Sequence, residues 1–283
     1  MTDKKIPFVG LHAHSVAGSI FDAIGYPDEH MDFCYENGGE ALALTDHGNM
    51  NGFSHQFLHW QKMKAEGKEF KPIFGVEAYF LPSIDDWRDD YNRIKEDAKL
   101  AKTLAKQGDT SGATVEDEDA SKKAVKNVLN RRRHLVLLAQ NQTGLNNLFK
   151  LISESYREEN FYRYPRVDYK LLDKYSEGVI ASSACLGGPY AGNYWANREE
   201  GPEAVRAAMR ETSKEFVKVF GDRWYGELQW NNIPEQHELN QYIIETCKEF
   251  DITLISTADS HYPNNEAWKD RELYKRLGWL GKG

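Results

Sequence analysis

The most constraining feature of the chain is a rhythm of short apolar runs alternating with longer amphipathic stretches. Seven runs read as strands: Phe8–His12, Ala41–Thr45, Ile73–Tyr79, His134–Ala139, Gly178–Ser183, Trp224–Gln229 and Ile252–Thr257. Several are apolar at successive positions, as strands buried on both faces are. Between them Met50–Lys64, Thr143–Tyr156, Gly201–Phe220 and Glu235–Phe250 carry helical periodicity. In the second of these helices Thr143 is the expected cap, and Leu145, Leu148, Phe149 and Ile152 share a stripe. Strand–helix alternation predicts a parallel sheet with right-handed crossovers. The expected fold is α/β, a closed or nearly closed barrel of seven strands resembling the (β/α)8 type.

One segment breaks the rhythm. Ser83–Arg133 is highly charged and poor in apolar residues. Asp85–Leu104 reads as helix, and Gln107–Ser121, with its acidic cluster Glu116–Asp119, reads as a flexible loop. Candidate ligands occur on both sides of it, so it is expected to be an insertion (about 83–133) in a single domain spanning 1–283. The formal net charge of −8 argues against a basic grip on nucleic acid over the whole surface, though not against a local site. Three widely spaced cysteines, Cys34, Cys185 and Cys247, suggest no disulfide framework and fit a reducing, cytoplasmic setting. Met1–Pro7 has no apolar signal region, and no run approaches the roughly 18 apolar residues that span a membrane.

The chemistry emerges when polar residues are mapped onto the strands. The first strand leads into His12-Ala-His14, the second into Asp46-His47-Gly, the fifth into Ala-Cys185-Leu-Gly-Gly, and the seventh into Asp259-Ser-His261. The third carries Glu77, and the fourth opens on His134. Five of the nine histidines lie at these strand ends. A barrel gathers such ends on one rim, where catalytic groups sit. Two residues apart on extended chain, His12 and His14 project to one side and can grip one ion, and Asp259 and His261 repeat the pattern. A hydrophobic core has no use for four such groups. A mixed His/Asp/Glu/Cys set suits zinc or manganese, with iron and magnesium as further candidates. More ligands than one ion needs imply several ions sharing bridging groups, an arrangement common in phosphoester hydrolysis.

These residues resemble the polymerase and histidinol phosphatase (PHP) superfamily. They look most like the PHP domains of bacterial replicative DNA polymerase III alpha subunits. The resemblance rests on His12-Ala-His14, Leu-Thr-Asp46-His47-Gly-Asn-Met, Gly-Val-Glu77-Ala-Tyr, Arg-Arg-His134-Leu-Val, Ser-Ala-Cys185-Leu-Gly-Gly, Glu227-Leu-Gln and Asp259-Ser-His261-Tyr, which run in family order through most of the chain. It implies a distorted seven-stranded barrel and a trinuclear site with nine ligands: His12, His14, Asp22, His47, Glu77, His134, Cys185, Asp259 and His261. Asp22 matches the family's aspartate after a stretch one residue longer than usual. By resemblance His12, His14, Glu77 and Asp259 hold one divalent ion. Glu77, His134 and Cys185 hold a second, and Asp22, His47 and His261 a third. Asp22, His47, Glu77, Asp259 and His261 form the catalytic group. The implied activity is 3′–5′ exonuclease proofreading, in which hydroxide generated at a metal ion attacks the terminal phosphodiester. The implied partners are a DNA 3′ end and the polymerase catalytic region of the same or a partner chain, in the cytoplasm at the replisome or nucleoid. Residues 263–283 would lead towards a following polymerase domain.

Other residues carry weaker readings. Cys185 as a nucleophile is less attractive than Cys185 as a ligand, because a metal-tied thiolate has its charge already engaged. Asp46, beside His47, orients a ligand histidine from behind or serves as a turn residue. Arg131–Arg133, and Arg163 with Arg166 among aromatics, could touch DNA, although a solvated face and loop packing are the commoner roles of such sequences. Glu227 is read as a structural strand end rather than a tenth ligand. His55 and His59 are expected to pack or lie on the surface, while His30, His237, Cys34 and Cys247 are expected to be structural. Two further functions remain open. One is a free-standing PHP phosphatase acting on small phosphate monoesters, and the other is a non-catalytic, metal-stabilised scaffold module of the polymerase.

Overall fold

The computed structural model describes residues 8–106 and 132–280. The expected loop Gln107–Ser121 with its acidic cluster, as well as Arg131, lies outside the described residues. The chain divides into two compact units, Met1–Phe80 with Arg133–Gly283, and Leu81–Arg132. The second contains helix α3, Ile84–Lys106, on which Arg88 pairs with Asp85 at 3.0 Å and Arg93 with Asp90 at 2.6 Å. Such i, i+3 pairs steady a helix that has little apolar surface to bury.

The first unit is built around one sheet. Its strands are β1 (Phe8–Gly10), β2 (Gly39–Leu44), β3 (Lys71–Phe80), β4 (Arg133–Ala139), β7 (Val179–Ser182), β8 (Trp224–Leu228) and β9 (Thr253–Ser256), hydrogen-bonded in that order. A short hairpin of β5 (Phe161–Tyr162) and β6 (Tyr164–Val167) joins the edge of β3. All seven expected strands are present, with ends shifted by one or two residues. The hairpin was not anticipated, since its turn rests on Arg163 at φ 59° rather than on glycine or asparagine.

Strand direction departs from expectation. β1, β2 and β3 are parallel, and so are β7, β8 and β9, but β4 runs antiparallel to both its neighbours. This reversal explains why its histidine opens the strand. The N-terminal end of a reversed strand lies on the same rim as the C-terminal ends of the others. The sheet closes on itself where the chain beyond β1 meets the chain beyond β9. His14 N–H donates to Ser260 O at 2.8 Å, and Ser260 N–H donates to His12 O at 3.2 Å.

Period-two alternation sorts the side chains. Leu135 and Leu137 of β4 join the large buried cluster with Val76, Ala78, Phe216 and Trp224, while Val136 and Leu138 join a smaller one with Ala43 and Ala184. Glu77, between Val76 and Ala78 and in register with Val136, must therefore face the smaller, inner side. Helix α7 (Pro202–Phe220) buries Val205, Met209, Ser213, Phe216 and Phe220 along one stripe. Phe216 stacks on Trp224 with ring centroids 4.2 Å apart. In α4 (Gln142–Ser155) the cap is Asn141, whose side chain accepts from Gly144 N at 3.0 Å, so Thr143 lies inside the helix and does not cap it. The buried stripe of α4 is Gly144, Leu148, Leu151 and Ser155, and Phe149 is 37 % exposed. No described helix is long and apolar enough to cross a membrane.

Candidate metal centre

The rim collects the singled-out side chains into one connected cluster. Glu77 lies at its middle, fully buried. Its carboxylate meets His12 Nε2 at 2.7 Å, His47 Nδ1 at 2.8 Å and His134 Nδ1 at 2.6 Å. Asp259 Oδ1 lies 3.3 Å from His12 Nε2 and 3.1 Å from His14 Nε2. Cys185 Sγ lies 3.5 Å from His134 Nδ1. Asp22 Oδ2 lies 3.0 Å from His47 Nε2 and 3.4 Å from His261 Nε2. His14 is stacked between His47 and His261, with centroids 4.2 and 4.4 Å away. Among the described residues, three groups have donor atoms close enough to hold an ion: His12, His14, Glu77 and Asp259; His47, Glu77 and His134; and His14, His47 and His261.

Backbone conformation supports the same place. Five described residues other than glycine have positive φ, and three of these serve the cluster: Phe21 precedes Asp22, Ala184 precedes Cys185, and Asp259 is itself a member. A side chain in the left-handed region costs about 1–2 kcal/mol, a strain that gathers at functional sites. Gly48, at φ +68°, follows His47, and a Cβ there would meet Tyr79 and Pro165 at 2.9 Å. Only glycine lets this loop press against the ring of Tyr79, which in turn stacks on His47 at 6.2 Å.

The groups behind the cluster fix its tautomers. Glu227 is buried on β8, accepting from His12 Nδ1–H at 2.6 Å, Ser182 Oγ at 2.5 Å, Thr257 Oγ1 at 2.6 Å and Gln229 Nε2 at 3.1 Å. It is thus neither a bare strand end nor a tenth ligand, but the group that directs His12 Nε2 towards Glu77. Asp46 accepts from Ser15 N at 2.6 Å, Ser15 Oγ at 2.8 Å and Ser19 Oγ at 2.9 Å. Ser19 Oγ accepts in turn from His14 Nδ1–H and from His47 N–H, each at 3.2 Å. Asp46 therefore orients His14 through Ser19, and does not orient the imidazole of its neighbour His47. His261 Nδ1–H donates to Asp259 O at 2.8 Å, leaving Nε2 facing Asp22.

These surroundings set the charges. Burial lowers the His14 imidazole to about 3, so it is neutral with its Nε2 lone pair directed at the cluster. Burial also opposes charge on His47, but hydrogen bonds to Asp22 and Glu77 and the charges of both outweigh it and raise His47 to about 10. Burial penalises the Glu77 carboxylate, yet His134, His12 and His47 hold it well below the usual range. The Cys185 thiol is pushed well up by burial and then by Glu77 and Asp259. His14 Nε2 and Asp259 Oδ1 are both buried and make no hydrogen bond of acceptable geometry despite lying 3.1 Å apart. A lone pair facing a carboxylate oxygen in a buried site is costly unless a cation lies between them. The donor set therefore fits divalent metal.

The remaining candidates fall elsewhere. Arg166 is 2 % exposed and donates through Nε to Asn160 O at 3.0 Å, so it packs the hairpin and is not open to DNA. Arg163 is exposed at the hairpin turn beside Tyr162, and Arg133 lies close over Gly192. His59 pairs with Asp32 at 2.8 Å, His55 lies against Tyr26, and His237 is exposed. His30 Nε2 donates to Ile24 O at 3.0 Å, and Cys247 is buried in the large cluster. Sequence reasoning missed Ser15, Ser19 and Arg271. Ser19 sits five residues after His14 among small residues, and no local pattern marks Arg271.

With this geometry in place, the comparisons with known proteins converge. The PHP domain family model matches residues 10–231. The chain belongs to the PHP domain family. It is 39 % identical over 259 residues to the DNA polymerase III subunit alpha of Aquifex aeolicus, covering 92 % of this chain and 18 % of that protein. It is 34 % identical over 271 residues to the subunit of the same name from Borreliella burgdorferi, covering 96 % of this chain and 19 % of that protein. The chain thus spans less than a fifth of the length of these relatives. A solved amidohydrolase from Chromobacterium violaceum with bound sulfate overlays with a TM-score of 0.46 at 12 % identity, covering 94 % of this chain and 96 % of that one. An overlay that loose supports no argument about function.

Proposed function

We propose that this chain is the PHP domain of a DNA polymerase III alpha subunit, with Leu81–Arg132 as an insertion in it, and that it hydrolyses the terminal phosphodiester at a DNA 3′ end. The observation that carries this reading is the convergence of all nine candidate ligands on one cluster centred on the buried Glu77 carboxylate, with two orphaned donor atoms facing each other. His12, His14, Glu77 and Asp259 would hold one divalent ion, Glu77, His134 and Cys185 a second, and Asp22, His47 and His261 a third. Zinc and manganese suit this mixture of nitrogen, oxygen and sulfur donors. Such ions supply an activated water and a clamp for the attacking and leaving oxygens.

The chain's own residues prepare that chemistry. Glu77, held charged among three imidazoles, fixes the spacing between neighbouring positions. Glu227, and Asp46 acting through Ser19, lock His12 and His14 with their Nε2 atoms towards the cluster. Asp22, at 38 % side-chain exposure, lies on the open side of the cluster where a phosphodiester approaches. The product would be a nucleoside 5′-monophosphate. The family relationship and the relatives' name support a place beside a polymerase catalytic region in the cytoplasm.

The test is digestion of 3′-labelled and 5′-labelled DNA with Mn²⁺ or Zn²⁺, beside a His12→Ala/His14→Ala control. Stepwise loss from the 3′ end, abolished in the control, is expected. Release of phosphate from small monoesters without shortening of DNA would instead identify a phosphatase. A fully metallated protein inert towards every phosphoester would identify a scaffold.

Metal uptake should also displace protons. Cys185 and His47 are protonated near neutrality in the free protein, whereas His14 is already neutral. Ligation requires thiolate and neutral imidazole, so affinity should rise with pH by about tenfold per unit for each proton released. Calorimetry in two buffers of different ionisation heat measures that number. An affinity that stays flat from about pH 6 to 8 would exclude recruitment of the thiol.

A further inference from the structure

We infer that Arg271, on the C-terminal helix α9 (Trp268–Leu280), is a positioning residue that sets Asp22 for the metal position it shares with His47 and His261. Its guanidinium grips Asp22 twice, with Nε donating to the backbone oxygen at 2.7 Å and an Nη to Oδ1 at 2.9 Å. One carboxylate oxygen is thereby engaged, and the other, Oδ2, is left facing His47 and His261 at 3.0 and 3.4 Å. A planar guanidinium that holds two acceptors of one residue fixes its orientation as well as its place.

Arg271 does not act from a passing loop. Tyr274 packs its ring on Phe21 at 5.2 Å, and Gly278 lies so close to Phe21 that a Cβ there would fall 2.6 Å from the Phe21 Cβ. Arg271, Tyr274 and Gly278 stand at i, i+3 and i+7, which is one face of the helix. That face holds the whole turn leading into Asp22, including Phe21 in its strained φ of 62°. Asp22 is the most solvent-exposed of the cluster's three carboxylates, so it depends most on such support. Without the helix only the contacts of Oδ2 with His47 and His261 would hold its side chain against solvent. Occupancy of the position is therefore set by the docking of a helix that supplies no ligand itself.

This inference rests on the metal-site reading above. Its test counts Mn²⁺ bound per chain and their affinities, by electron paramagnetic resonance of the free ion and by mass spectrometry after dialysis, in the wild type, Arg271→Ala, Arg271→Lys and Gly278→Ala. In Arg271→Ala one position should weaken by about 10–100-fold while the others keep their affinity. Arg271→Lys retains the charge and one bond, and should fall between. Gly278→Ala favours the helix but collides with Phe21, so it should weaken the same single position although the helix itself is strengthened. If Arg271→Ala melts early, Arg271→Lys and Gly278→Ala decide. Unchanged affinities in the variants, or equal weakening at every position, would overturn the role of Arg271. A wild type that binds no ion at all would overturn the metal-site reading itself.

Discussion

Replacing Glu77 with glutamine should abolish phosphoester hydrolysis and strip metal from the centre, with activity falling by about a thousandfold or more. Groups behind a ligand typically cost about 10–100-fold when removed, and Glu77 stands in front of them. Among the described residues its carboxylate is the one group that contacts His12, His47 and His134 together, at 2.6–2.8 Å. Glutamine has the same shape but carries no charge, and its amide nitrogen presents hydrogens where a cation is expected. Three imidazoles would then face each other around a neutral group, and those protonated in the free protein would repel. Metal content after dialysis and the rate of 3′ digestion read the two effects separately. Full metal content with normal activity would show that Glu77 only balances the charge of the histidines.

Glu227→Ala should have the second-largest effect, and mainly on stability. Truncation would leave His12 Nδ1 and the hydroxyls of Ser182 and Thr257 buried without their acceptor. Removing one partner from a buried charged network costs about 3–5 kcal/mol, which in a domain of this size lowers Tm by about 10 °C. Glu227→Gln retains an acceptor oxygen for His12 and should restore most of that stability. It should still bind metal more weakly, by about tenfold, because the imidazole loses the carboxylate that raises its basicity. Thermal melts of the metal-free and metal-loaded forms separate the two contributions. If the alanine variant melts like the wild type, Glu227 is not the anchor of His12.

Much of this arrangement is legible in the sequence because it is local. A strand buried on both faces shows itself as a run such as Leu135-Val-Leu-Leu138, and a histidine or aspartate just past such a run is conspicuous. Pairs such as His12/His14 and Asp259/His261 announce themselves by spacing alone. What is not legible depends on direction or on distance along the chain. Nothing inside β4 says that it runs backwards, although a histidine at its start rather than its end is the trace of that reversal. Asp46 looks like a partner for the residue beside it, yet its carboxylate turns to Ser15 and Ser19 and reaches His14. Arg271 is 249 residues from Asp22, and no periodicity in a charged helix singles it out. The hairpin at Phe161–Val167 escaped because its turn is carried by an arginine.

The junction of Ala13 with Ser260 also has a bearing on how the molecule is made. Asp259 and His261 emerge from a ribosome almost 250 residues after His12 and His14. At synthesis rates of about 5–20 residues per second, that interval is roughly 12–50 s. Throughout it, the nascent first strand lacks a neighbour on one side, and His12 and His14 lack the carboxylate of Asp259. The cluster is therefore completed only after Asp259 and His261 have emerged, and metal uptake would report that the two distant ends of the sheet have met.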